Sequence, residues 1–214
     1  MDFTLDATQV RALGCLMEKE LSTPEYCPLS LNALVNACNQ KTNRQPVLAL
    51  DADTVDAALR SLKDQQLVVQ SDASRVPKFW QALGKQCHLI DREVALLCLL
   101  MLRGPQTAAE LRARGESLCA FETPEQAAEA LDNLTTTGLI VQLPRQPGQK
   151  ESRYTHLLGG AAETAEPVAA VSAPVVSGAS LPRRIEELEA TVAQLQEELR
   201  LLRQEFVAFR SHFA

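Results

Sequence analysis

With 214 residues, 46% of them hydrophobic and 22% charged, the chain has room for two soluble domains of ordinary size, each with its own core. A net charge of −6 excludes a strongly basic, nucleic-acid-coating protein, although a local basic patch stays open. Six cysteines without a C-x-x-C pair, and histidines at no finger-like spacing, exclude a zinc site and fit reduced thiols in a cytoplasmic protein.

The first residues, MDFTLDATQV, have neither a basic n-region nor an apolar h-region, so no secretory leader is expected. Asp6 caps a first helix, with Gln9 at the capping-box position and Val10, Leu13, Met17 and Leu21 on its buried face. Pro24 and Pro28 end it. Ser30 caps a second helix that turns Leu31, Leu34, Val35 and Cys38 inward. A polar loop follows, and Asp51 or Asp53 starts a third helix with Val55, Leu59 and Leu62 as its stripe. Leu67 to Gln70 and Phe79 to Leu83 then read as a hairpin. Asp91 opens the next helix, which runs to Arg103. Its apolar run Val94–Leu102 is far shorter than the roughly 20 residues of a membrane span, so it is a buried helix and no membrane partner is expected. Thr107 and Glu110 form a capping box for a short helix. Thr123-Pro124-Glu125-Gln126 begins a third, with Gln126 expected to close its box. Ala127, Ala130, Leu131 and Leu134 form its core face, Gly138 ends it, and Leu139 to Leu143 and Arg153 to Leu157 form a second hairpin.

The chain therefore repeats itself. Leu59-x-x-Leu62-x4-Leu67-Val68-Val69-Gln70 matches Leu131-x-x-Leu134-x4-Leu139-Ile140-Val141-Gln142, Ser30-x3-Leu34 matches Thr107-x3-Leu111, and Ala12-Leu13-x-Cys15-Leu16 matches Ala95-Leu96-x-Cys98-Leu99. Three helices and a hairpin is the winged-helix order. The expected fold is mainly α with small β wings, as two tandem winged-helix domains at 1–84 and 85–158. Residues 159–180, rich in Ala, Pro, Val and Ser, read as a flexible linker. Residues 181–214 read as a heptad helix with Ile185, Leu188, Val192, Leu195, Leu199, Leu202, Phe206 and Phe209 at a and d positions. These eight are the expected oligomerisation residues of a homo-oligomer. The alternative is an amphipathic helix folded back on its own domains.

Several strings resemble the uncharacterised YceH-like family of bacterial proteins. They are Gly14-Cys-Leu-Met-Glu-Lys-Glu20, Pro28-Leu-Ser-Leu-Asn-Ala-Leu34 and Asn36-Ala-Cys-Asn-Gln-Lys-Thr-Asn-Arg44 with Pro46. Ser74-Arg75-Val76, Leu102-Arg-Gly-Pro-Gln-Thr107, Glu110-Leu-Arg112, and Leu143-Pro-Arg-Gln-Pro-Gly148 with Glu151-Ser-Arg-Tyr154 add to them, so the resemblance spans about residues 5–160. It implies two winged-helix domains and no reaction.

No P-loop, G-x-G-x-x-G after a strand or G-x-S-x-G is present, and Cys87-His88 is adjacent in sequence without forming a dyad on that account. No enzymatic activity and no cofactor are expected. A winged helix that reads DNA places its third helix in the major groove, with Arg, Lys, Asn or Gln facing out. Here those helices offer Asp53, Asp56, Arg60, Lys63 and Asp64 in one repeat and Glu125, Glu129, Asp132 and Asn133 in the other. Carboxylates there repel phosphate. Positive charge lies instead on Lys41 and Arg44 before the third helix, Arg75 and Lys78 in the first wing, and Arg145, Lys150 and Arg153 in the second. These seven are the candidate contacts to nucleic acid or a partner. Two functions are open: a protein-interaction scaffold, or a DNA-associated transcriptional regulator touching phosphates through wings and loop.

Overall fold

In the computed structural model, which describes residues 4–72, 75–145, 149 and 151–159, the Asp6 carboxylate accepts from the Thr8 and Gln9 N–H groups at 2.8 Å each. Gln9 returns a bond to the Asp6 N–H at 2.9 Å. This box opens α1 (Ala7–Ser22), followed by a 3-10 turn (Pro24–Tyr26), β1 (Leu29–Ser30), α2 (Leu31–Cys38), α3 (Ala52–Asp64), β2 (Val68–Ser71) and β3 (Lys78–Gln81). A one-turn helix, α4 (Leu83–Gln86), leads into α5 (Asp91–Arg103), β4 (Gln106–Thr107), α6 (Ala108–Gly115), α7 (Pro124–Thr136), β5 (Ile140–Gln142) and β6 (Arg153–His156). The described chain is thus mainly helical, with two three-stranded antiparallel sheets of order β1-β3-β2 and β4-β6-β5. The expected boundary after residue 84 falls inside α4. All of the expected heptad helix, and all of the expected linker beyond Gly159, lie outside the described residues.

Each sheet has a strand more than a hairpin supplies. Leu29 pairs with Phe79, and Gln106 with Tyr154. The cause is the helix cap that follows. Ser30 and Thr107 both hold the extended backbone an N-cap requires, so the residues ahead of α2 and α6 are already laid out for a ladder. Two further expectations are corrected. The return strand of the first hairpin stops at Gln81, and Leu83 belongs to α4. Gln126 does not close a box with Thr123, because its side-chain oxygen accepts from the Glu122 N–H at 2.9 Å.

Three helices end the same way. After α3, Gln66 sits at φ 61°, its N–H bonds the Lys63 carbonyl at 2.8 Å, and the Leu67 N–H bonds the Leu62 carbonyl at 2.8 Å. This is the Schellman pattern, with a left-handed residue just past the cap. After α7, Gly138 (φ 72°) and Leu139 repeat it on Thr135 and Leu134, and after α4, His88 (φ 54°) and Leu89 do so on Lys85 and Gly84. Because its N–H is taken, Leu67 joins the return strand only through its carbonyl, which accepts from the Ala82 N–H at 2.8 Å, and β2 begins one residue later than expected.

The corresponding helices α1 and α5 pack on each other at the centre. Residues 9–18 of α1 and 93–102 of α5 are buried all round, so neither shows the one-sided stripe of a surface helix. Gly14 is the contact point. A Cβ there would lie 3.0 Å from Leu102 Cδ2, and the Cys98 thiol donates to the Gly14 carbonyl at 3.3 Å. Leu13 and Met17 of α1, Leu59 and Leu62 of α3, Leu96 and Leu100 of α5, and Leu131 and Leu134 of α7 join one apolar cluster. Full burial of each such side chain contributes roughly 1.5–3 kcal/mol.

Candidate functional site

The seven expected cations divide into groups with different surroundings. Arg44 is buried, at 5% exposure. Its guanidinium grips Glu18 in a fork, with bonds of 2.9 and 2.6 Å to the two carboxylate oxygens. It also donates to the Ala37 carbonyl at 3.1 Å, the Asn43 carbonyl at 3.0 Å and the Gln40 side-chain oxygen at 2.9 Å. All five N–H groups of the guanidinium are thereby used, and Arg44 is withdrawn from any contact surface. Burial pushes the Glu18 carboxyl up, but the bonds and charge of Arg44 outweigh it and hold the group below its ordinary value. Arg11, also buried, donates to the Cys38 carbonyl at 3.1 Å and the Pro46 carbonyl at 2.5 Å. The cysteines beside this cluster are core residues. Cys15, Cys38 and Cys98 are fully enclosed. Contact with the Cys15 thiol, and then burial, pushes the Cys38 thiol up, and burial does the same to Cys98.

The loop from Asn39 to Leu50, which the second repeat carries only in shorter form, is a bracket. The Asn39 amide exchanges two bonds with the Leu50 backbone, at 2.7 and 2.8 Å. Asn43 turns through φ 62° and accepts from Arg103 at 2.6 Å, and the Gln45 N–H reaches the Leu102 carbonyl at 2.8 Å. The loop thus ties α1 and α2 to the end of α5. Lys41 is left exposed on it.

In the two hairpins, Arg75 and Arg145 are exposed and Lys78 is half-buried on β3. Arg145 donates to the Gln149 carbonyl at 2.7 Å. Arg153 is engaged with Glu110 at 3.2 Å and the Pro105 carbonyl at 2.8 Å, rather than facing Glu151 alone. Lys150 lies outside the described residues. Four of the seven, Lys41, Arg75, Lys78 and Arg145, are therefore neither sealed in the interior nor joined to a carboxylate among the described residues. The Glu18–Arg44 pair went unforeseen. A signal was present, since Arg11 and Glu18 are seven residues apart on one face of the otherwise apolar stretch 10–18.

The outward faces of the third helices are acidic. On α3, Arg60 is paired with Asp56 at 2.6 Å, and Lys63 bonds the Gln70 side chain. On α7, Glu125, Glu129 and Asp132 are exposed, the helix carries no Lys or Arg, and Asn133 donates to Glu93 at 3.0 Å. Among the described residues no group of His, Cys, Asp and Glu has the arrangement of a metal site, and no helix is long and apolar enough to cross a membrane.

A family model described as "Protein of unknown function, DUF480" matches residues 5–149. A UPF0502 protein of Solibacter usitatus is 47% identical over 207 residues, covering 96% of this chain and 100% of that protein. One of Pelobacter propionicus is 43% identical over 218 residues and the full length of both. One of Pseudomonas fluorescens is 44% identical over 198 residues, 91% of each.

Proposed function

The chain belongs to the DUF480 family and matches UPF0502 proteins along nearly their whole length, and from that premise we propose a non-enzymatic binding protein. In this reading two tandem winged-helix units serve as docking modules for a protein partner. One observation carries it. The helix that a DNA-reading winged helix would lay in the major groove is acidic in both units, and its cations on α3 are held by neighbouring side chains. Such a face opposes a phosphate backbone and suits a partner that presents Lys and Arg. The test is binding of the full chain to generic duplex DNA at low salt, where phosphate attraction is largest. No retardation is expected. Binding that weakens steeply with salt, and falls in the Arg75→Ala and Arg145→Ala variants, would replace this reading with the phosphate-contacting regulator.

The heptads at residues 185–209 supply the assembly part of the proposal, a homo-oligomer joined through Ile185, Leu188 and their successors. Mass in solution with and without residues 181–214 tests it. The truncated chain is expected to be smaller than its own length accounts for, and an unchanged subunit number removes the role.

A further inference from the structure

A cavity of about 600 Å³ lies where the end of α1, α4 and the start of α5 meet. Its volume is that of a small-molecule site. Among the described residues four ionisable groups line it: Glu20 from α1, Lys85 from α4, His88 from the turn after α4, and Asp91 at the start of α5. Their side chains make no hydrogen bond or ion pair, with one another or with any other described residue. Glu20 Oε2 is buried without a donor. Leu21, Leu89 and Val94 supply apolar walls between the charges.

The fold holds these groups apart. The left-handed turn at His88 closes α4 and delivers Leu89 to the wall, through the Leu89 N–H bond to the Gly84 carbonyl at 2.8 Å. Gly84 brings α4 close to α5, since a Cβ there would lie 3.3 Å from Val94 Cγ2. Glu20 and Lys85 therefore stand on separate packed elements and do not close into a salt bridge. An orphaned carboxylate oxygen is costly to leave unbonded.

We propose that this cavity binds a small zwitterion with an apolar body, of the dipeptide class. Its ammonium is held by Glu20 and Asp91, its carboxylate by Lys85 and His88, and its side chains lie against Leu21, Leu89 and Val94. The site is independent of the docking reading, and neither the duplex nor the mass measurement bears on it.

The test is calorimetric titration of the full chain with alanyl-leucine and phenylalanyl-alanine, together with their N-acetyl and C-amide forms. Saturable binding of a free dipeptide is expected. Acetylation or Glu20→Gln weakens it by about tenfold or more, and amidation or Lys85→Gln does likewise, as expected for loss of a charge-assisted bond. No saturable heat with either free dipeptide at millimolar concentration overturns the proposal. So does equal affinity for free and blocked forms. Should a variant fail to fold, the blocked peptides on the unaltered chain still decide.

Discussion

Arg44 shows how far a residue's role depends on its neighbours. Within a run of Asn, Gln, Lys and Thr it reads as a surface cation, yet it is the most enclosed charge of the loop and its partner Glu18 is 26 positions away in sequence. Removing one member of such a pair leaves a buried charge without compensation, which costs about 3–5 kcal/mol. Arg44→Leu is expected to lose that much in urea unfolding. The Glu18→Gln, Arg44→Leu double variant is expected to recover part of it, giving a coupling well above measurement error in a double-mutant cycle. Simple additivity would show that the two side chains do not act together. His156 gives a second residue-scale prediction. Burial lowers its pKa from the ordinary 6.5, and its Nδ1 has no partner. The unfolded ring takes a proton near 6.5, and the folded one resists it. Stability is therefore full above pH 6.5 and is lost as pH falls from there through the lowered folded value. Melting temperature is expected to be flat from pH 8 to about 7 and to drop toward 5.5, with a smaller drop in His156→Leu. Glu18 acts in a separate window. Its carboxyl lies below the ordinary 4.5, so its contribution is present above 4.5 and lost as pH falls through the folded value.

Element boundaries were legible where a residue type is tied to one backbone conformation. Gly138 marks the end of α7 because glycine takes positive φ without steric cost. Gln66 holds the same place after α3, 72 residues earlier, and nothing in its type announces it. The stability predictions follow from that difference. Gly138→Ala keeps open space around its Cβ but must hold φ 72°, and is expected to cost about 1–2 kcal/mol. Gln66→Gly relieves the same strain and is expected to stabilise by up to about 1 kcal/mol, less the extra chain entropy of glycine. Thermal melts of the two variants should shift in opposite directions, and a shared direction would show that the two turns are not equivalent. The two-residue strands β1 and β4 stayed hidden because alternation needs four or more residues to be seen.

Between the halves, the contacts are numerous and of several kinds. The Leu5 N–H bonds the Leu158 carbonyl at 2.7 Å, Thr4 bridges Gly159, the loop at Asn43 and Gln45 reaches Arg103 and Leu102, and Gly14 lies against α5. A fragment ending near residue 84 would expose the face of α1 that α5 covers. The expected behaviour is one cooperative unfolding event for both halves. Trp80 is the sole tryptophan and lies in the first half, so its fluorescence reports that half, while far-ultraviolet dichroism reports both. Coincident urea transitions by the two probes are expected. A fluorescence transition well separated from the dichroism transition would mean that the halves unfold on their own.

By itself the sequence determined the family, the succession of the longer helices and the hairpin strands, the internal repeat and the acidic character of the third helices. Each of these rests on what lies close together along the chain: caps, apolar periods and distinctive short strings. Tertiary structure alone decided which charges are available. Glu18 reaches Arg44, Glu110 reaches Arg153, and Glu20 and Lys85 face a cavity without meeting. Spacing along a chain tells which residues share a face of one helix. Whether a charge is paired, enclosed or left open depends on what a distant element brings against that face.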